Sequence, residues 1–201
     1  MTAAVVLAAG ASSRLGRAKQ TVVVGGETLV ERAVRVAMEA GLDPVIVVVA
    51  AEGELADGLR QAGCVLVINE LVSEGMASSI RCGVERAREL GARGILLMTC
   101  DQVAVRAEHL RALCGGGGGV VGSGYAGRVG VPAYFPAASF GELLELRGDV
   151  GARGLLRGAA AVVDEGLELD VDTEADLERA RMSCTDGQPC ADGESCADGE
   201  S

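Results

Sequence analysis

Residues 4–20 read A-V-V-L-A-A-G-A-S-S-R-L-G-R-A-K-Q: an unbroken apolar run that opens at Gly10 into a loop of small residues carrying Arg14, Arg17 and Lys19. A continuous run of small and branched apolar residues, without polar alternation, is how a strand buried on both faces reads. In open parallel sheets ligands bind beyond the carboxyl ends of strands. Here the small residues after Gly10 let the backbone approach closely, so that amides near Ala11, Ser12 and Ser13 can face an anion. With three cations beside them, these residues predict a diphosphate or triphosphate site. Two common phosphate loops fail on spacing. Ala11-Ser12 breaks the dinucleotide G-x-G-x-x-G. A P-loop needs four residues between its glycines and then Lys, whereas five separate Gly10 from Gly16 and Arg17 follows.

The same kind of run recurs along the chain. Strands are expected at residues 4–8, 45–49, 65–68, 95–99 and 120–122, with segments of helical period between them. Thr28 caps a helix with Leu29, Val30, Ala33, Val34 and Ala37 on one face and Gly41 past its end. Further helices are expected at 54–61, from Ser73–Gly75 to Gly91, and at 104–114. A strand at 129–135, a helix at 137–146, a short helix at 150–157 and an edge strand near Val162 follow. The last helix, 173–182, is capped by Asp172 or Thr173. Strands alternating with helices specify an α/β fold: a three-layer α/β/α sandwich around a mostly parallel sheet.

Its 201 residues and 20.3 kDa suit one domain, placed at residues 1–182. Residues 183–201 are three six-residue units led by Cys184, Cys190 and Cys196, with five acids and no base; they are expected to be a disordered tail. A net charge of −11 excludes a duplex-binding surface, and 2% aromatic residues exclude a stacking platform for bases, so no nucleic-acid partner is expected. The longest apolar run, 44–51, is too short for a bilayer, so no membrane partner is expected either. Residues 1–11 lack a preceding basic residue and read as a buried strand rather than a signal segment. Cys64, Cys82, Cys100 and Cys114 show no metal-finger spacing and point to a reducing, cytoplasmic setting. Gly115 to Gly119 read as an expanded loop. Among the cations there are 17 Arg and one Lys, which singles out Lys19 as a place where a point charge on a flexible stem is needed.

Residues 7–20 also match the pattern L-A-A-G-x-S-x-R-M/L-G-x-x-K-Q. Five further segments follow in register: Asn69 with Gly75-Met76-Ala77-Ser78-Ser79; Cys100-Asp101-Gln102; Tyr125-Ala126-Gly127 with Gly130-Val131-Pro132; residues 148–153, G-D-V-G-A-R; and Asp170-Val171-Asp172-Thr173 with Asp176. On these segments the chain resembles the molybdenum cofactor nucleotidyltransferases, within them the cytidylyltransferase branch. The resemblance implies a Rossmann-like nucleotidyltransferase fold. It also implies Mg²⁺-dependent transfer of CMP from CTP to the phosphate of a molybdopterin-type cofactor, with release of pyrophosphate, in support of a molybdenum hydroxylase apo-enzyme. Ala9 and Gln20 carry the branch assignment, since the guanylyl branch usually has a second Gly in place of this Ala and an Asp before the lysine.

A phosphate nucleophile is already ionised at neutral pH, so such a reaction needs positioning and charge neutralisation rather than a general base. The single His109 is accordingly given a surface or boundary role. Arg14, Lys19 and Asp101 are expected to be catalytic. Leu7, Ala8, Ala9 and Gly10, then Ala11, Ser12 and Ser13 with Arg14 and Lys19, are expected to bind the nucleotide. Asn69, Gly75, Ser78 and Ser79 join them by reading the base or holding phosphate at a helix start. Asp101, at a strand end, is the expected Mg²⁺ ligand and Asp172 the second, with Asp170 as the alternative and helix capping as the competing role. Gly130, Pro132, Asp149 and Arg153 are assigned to the acceptor, with Arg153 as an anion contact and a simple cap as the competing role of Asp149. Arg81 is a further candidate for anions. The chain departs from the family at Thr21-Val22-Val23, where Leu-Leu-Pro is usual, and at Val103, where Pro is usual; the second removes a backbone restraint beside Asp101. Two other readings stay open: a transferase using another nucleotide or a sugar-phosphate acceptor, and a non-catalytic cofactor carrier, against which Lys19 together with Asp101 argues.

Overall fold

The computed structural model describes residues 1–10, 18–116, 118–168 and 170–185. The loop positions Ala11, Ser12, Ser13, Arg14, Gly16 and Arg17, and tail residues 186–201, lie outside the described residues.

In chain order the elements are β1 (Thr2–Leu7), β2 (Val23–Val24), β3 (Glu27–Thr28), α1 (Leu29–Glu39), β4 (Val45–Val49), α2 (Glu54–Gln61), β5 (Val65–Ile68), α3 (Met76–Glu89), β6 (Gly94–Thr99), α4 (Ala107–Cys114), β7 (Val121–Tyr125), β8 (Arg128–Pro136), α5 (Phe140–Leu144), β9 (Ala160–Val163) and α6 (Glu174–Thr185). The main sheet has seven strands in the order β5-β4-β1-β6-β8-β7-β9, and only β8 runs against the others. From β1 the chain builds outward through β4 to β5 and then returns to place β6 on the other side of β1, which makes the β1/β6 boundary the point where strand order reverses.

Alternate residues of the central strands feed two cores. Ala4, Val6, Val47 and Met98 pack with α1, α2 and α4 on one face of the sheet. Val5, Ile46, Val48 and Leu97 pack with α3 and α5 on the other. This is the expected three-layer arrangement. At Gly83 a Cβ would lie 2.3 Å from a Val5 methyl carbon, so α3 seats on β1 more closely than any side chain would permit. Thr28 caps α1 through a capping box with Glu31, as its position before the apolar face predicts.

Several elements differ from the sequence expectation. The β2–β3 hairpin, turned by Gly25 and Gly26 at positive φ, has no counterpart in the sequence reading, because two-residue strands carry no periodic signal. β7 runs on to Tyr125, and Tyr125-Ala126-Gly127 leads into its turn, with Ala126 and Gly127 both at positive φ. The helix expected from residue 104 starts at Ala107, and those expected at 137–146 and 150–157 are mostly 3₁₀ turns around the short α5. α6 continues to Thr185, since no helix breaker occurs before Gly187. His109 is a correction: it is buried rather than at the surface, and its Nε2 lies 2.8 Å from Ser123 Oγ. Because Ser123 donates its one hydroxyl proton to the Pro132 carbonyl at 2.6 Å, Nε2 is the protonated, donating nitrogen. No helix among the described residues is long and apolar enough to cross a membrane.

Candidate active site

A cavity of about 670 Å³ opens at the carboxyl ends of β1 and β6, where strand order reverses. Leu7, Ala8, Ala9 and Gly10 form one wall and Thr99, Cys100 and Asp101 another. The start of α3 and the turn before it contribute Val72, Ser73, Gly75, Met76 and Ser79, while Lys19, Gln20, Asp149 and Asp172 complete the lining. The exit of β1, expected to bind nucleotide, therefore lines the cavity together with Lys19 and both expected metal ligands.

Lys19 Nζ donates to Asp101 Oδ2 at 2.9 Å and also to Asp172. Three local features bring these residues together from distant parts of the chain. Lys19 heads a 3₁₀ turn whose exit, Val22, is buried in a small core with Leu29, Val171 and Leu177. The Val171 amide donates to the Asp101 carbonyl at 3.1 Å, and Gln102 bridges Asp170, which ties the chain before α6 to the end of β6. The Val103 carbonyl accepts from Arg32 Nε at 2.9 Å, which restrains the turn where the family usually has Pro. Thr173, not Asp172, caps α6: its hydroxyl accepts from the Asp176 amide, while Asp176 accepts from the Thr173 amide. Asp172 is thereby left to face Lys19.

Burial alone would lower the Lys19 pKa, but the Asp101 charge and hydrogen bonds to Asp172 and Asp101 outweigh it and hold the ammonium charged above its usual range. Asp170 behaves in the opposite way. Burial, then the charges of Asp101 and Asp172, push its carboxyl up to about 6, and its buried Oδ1 has no hydrogen-bond partner among the described residues. Burial and the adjacent Asp101 push the Cys100 thiol up to about 12, so it packs as a neutral wall residue.

At the start of α3, where the sequence expects phosphate or base contacts, the first amides have partners within the protein. The Met76 amide donates to Asp149 Oδ1 at 3.2 Å, the Ala77 amide to the Gly148 carbonyl at 3.1 Å, the Ser78 amide to Gly75 O, and the Gly75 amide to Val72 O. The turn at 148–149 thus caps a helix more than seventy residues earlier in the chain. Gly75 is required by its φ of +94° and because a Cβ there would lie 2.7 Å from the Gly148 carbonyl. Asn69 and Ser78 are buried behind the wall. The Asn69 amide donates to Ser78 and Ser79 Oγ at 2.8 and 2.9 Å and accepts from the Leu71 amide. Of these residues Ser79 and Gly75 reach the cavity and Asn69 and Ser78 do not. Arg81 is bound to Glu74 and to the Leu146 carbonyl.

Of the residues assigned to the acceptor, Asp149 lines the cavity, while Gly130, Pro132 and Arg153 do not. Gly130 sits against the Tyr125 hydroxyl, Pro132 holds Ser123, and Arg153 is exposed on the 3₁₀ turn Ala152–Leu156. Gln20, Thr99, Cys100 and Met76 line the cavity without having been singled out as site residues; for Thr99 and Cys100 the end of a buried strand was the available signal.

Among the described residues no group of three or more His, Cys, Asp or Glu side chains is arranged for a metal. Asp101 and Asp172 nevertheless fit one. They are two hard oxygen donors converging on one cationic point, and Mg²⁺ is usually held by one or two carboxylates plus substrate phosphates.

A seven-stranded, mostly parallel sheet whose order reverses between β1 and β6, flanked by helices, is the α/β nucleotidyltransferase fold. The chain is a member of the MobA-like NTP transferase domain family, which it matches over residues 4–165. It is 32% identical over 197 residues to the purine catabolism protein PucB of Bacillus subtilis, covering 89% of this chain and 96% of that one. It is 34% identical over 164 residues to a probable molybdenum cofactor guanylyltransferase of Opitutus terrae, covering 80% and 79%. The crystal structure of Rv0371c from Mycobacterium tuberculosis superposes with a TM-score of 0.75 at 33% identity, covering 90% and 97%. That protein has also been solved in complex with manganese.

Proposed function

We propose that this nucleotidyltransferase transfers CMP from CTP to the phosphate of a molybdopterin-type cofactor. The observation that carries the reading is Lys19 held between Asp101 and Asp172 where β1 and β6 end. An oxygen of the acceptor phosphate attacks the α-phosphorus, the bond from that phosphorus to the bridging oxygen breaks, and the electron pair leaves with pyrophosphate. Lys19 supplies a positive charge for the triphosphate, and the strand exit Leu7–Gly10 brings backbone close to it. Asp101 and Asp172 would hold a divalent ion, which supplies charge neutralisation across the phosphates. No side chain has to accept a proton, in keeping with a buried His109 that is not among the residues lining the cavity.

The molybdopterin acceptor is supported by the name of the Opitutus relative and by the ordered motif matches. Mg²⁺ is supported by the carboxylate pair. CTP is supported by Ala9, which is buried in the cavity wall, and by Gln20 in its lining. One extra methyl beside the base discriminates by only about 1 to 3 kcal/mol. GTP is the second reading, favoured by the guanylyltransferase name of that relative. Pyrophosphate release measured with each NTP, with and without purified molybdenum cofactor, tests acceptor and base together. The expected result is cofactor-dependent release with kcat/KM for CTP at least ~10-fold above GTP, as a difference of about 1.4 kcal/mol gives. Equal values would remove the CTP assignment, and release indifferent to the cofactor would remove the acceptor.

A further inference from the structure

We infer that Lys19 is the resident counter-cation of the metal site: it occupies the carboxylate pair that a divalent ion would use, so metal enters only as Lys19 leaves for phosphate. The inference rests on the proposed transfer reading for the identity of the phosphate ligand. Its basis is geometric. One ammonium bridges Asp101, from the end of β6, and Asp172, from the segment before α6, at 2.9 Å to the first and in contact with the second. An ion ligated by the same two oxygens, Asp101 Oδ2 and Asp172 Oδ1, would stand where Nζ stands, and two cations cannot share that space. Lys19 and Asp101 are the shielded side of the contact, with side-chain exposures of 17% and 19%, while Asp172 is 40% exposed, so solvent screens the Lys19–Asp101 contact less than it would a surface ion pair.

A lysine suits a post that must be vacated. Its compact charge sits on a flexible four-carbon stem and can swing, whereas a guanidinium fork would lock onto the carboxylates in pairs. Triphosphate offers Lys19 an alternative partner, and its departure opens the carboxylates. Metal and triphosphate therefore favour one another's binding through a single side chain. Without triphosphate Lys19 stays on the carboxylate pair and the protein binds divalent ions weakly.

The test is Mn²⁺ binding to the full chain without nucleotide, followed by electron paramagnetic resonance or calorimetry in wild type, Lys19→Gln and the double variant Lys19→Gln/Asp101→Asn. Removing the competing charge should tighten Mn²⁺ binding at least ~10-fold in Lys19→Gln, and the double variant should lose that gain. Binding no tighter in Lys19→Gln than in wild type, or a gain that survives Asp101→Asn, would overturn the inference. Because Lys19→Gln also changes the local charge, a wild-type measurement stands beside it. The chain has one lysine, so lysine labelled at Cε gives a single NMR reporter. That signal should stay put with Mg²⁺ alone and shift when inorganic triphosphate is added with Mg²⁺. A shift with Mg²⁺ alone over the same concentrations contradicts the proposal. Neither readout needs turnover, so failure of the transfer reading would show in the pyrophosphate assay and not here.

Discussion

Asp149 Oδ1 accepts a hydrogen bond from the Met76 amide at 3.2 Å, so a turn that the sequence places near the acceptor in fact completes the wall expected to meet the nucleotide. Removing the cap with Asp149→Ala should cost about 1 kcal/mol of stability, and the amide oxygen of Asp149→Asn should recover most of it. Gly75→Ala should be worse than either, because it meets both a positive φ and the Gly148 backbone. Denaturant midpoints rank the three. If Gly75→Ala is as stable as wild type, the close seating of the two turns is wrong.

Substituting Lys19 by Arg should leave the fold intact, since a guanidinium can still pair with Asp101 and Asp172. Turnover should fall at least ~10²-fold, as expected when a positioned phosphate contact is lost. Near-normal turnover in a folded Lys19→Arg variant would take the reacting phosphates away from this residue.

His109 carries a pH signature. Burial lowers its pKa below 6.5 in the folded protein, so over the interval between that lowered value and about 6.5 the unfolded chain binds more protons. Stability is therefore full above about pH 6.5 and is lost as pH falls through the interval, with a slope of at most about 1.4 kcal/mol per pH unit. Asp170, raised to about 6, contributes the opposite sign between its unfolded value and that pH, so the comparison must be with a His109→Gln variant that keeps Asp170. The variant should lose the acid-side slope due to His109; parallel stability curves for the two proteins would mean that His109 is not held neutral.

Residues 186–201 offer no Val, Leu, Ile, Met or aromatic side chain, and their five acids would repel a triphosphate. A chain ending at Thr185, which keeps all of α6, should melt and turn over like the full-length protein when reductant is present. Lower activity, or loss of a stoichiometric bound metal on truncation, would make the tail part of the working protein.

The parts of this fold that could be read from sequence are those where chemistry and periodicity are local. Val45–Val49 and Val65–Ile68 are unmixed apolar runs, and both form strands over those residues. Glu54–Gln61 forms its helix despite Gly58. Relationships between distant residues carry no local signal. Ser123 and Gly124 look wrong for a buried strand until His109 and the Pro132 carbonyl are seen to satisfy the hydroxyl. The surface or boundary role read for His109 also gives way to burial, because the partner that satisfies its ring, Ser123, lies on another element. Likewise Asn69 reads as a ligand when its neighbours are unknown, whereas in the fold its polar atoms are occupied by Ser78, Ser79 and Leu71. The sequence assigns Lys19 to phosphate and Asp101 with Asp172 to a metal; that the lysine itself rests on both acids is visible only in three dimensions.

Nucleotidyl transfer is followed most simply by label. With CTP carrying ³²P at the α-position and purified molybdopterin-type cofactor in excess, the label should pass into the cofactor as a dinucleotide, while the β- and γ-phosphates leave together as pyrophosphate. Asp101→Asn should abolish that passage. Label found only in free CMP, or remaining in CTP under conditions where the protein is folded and supplied with Mg²⁺, would contradict transfer to the cofactor phosphate.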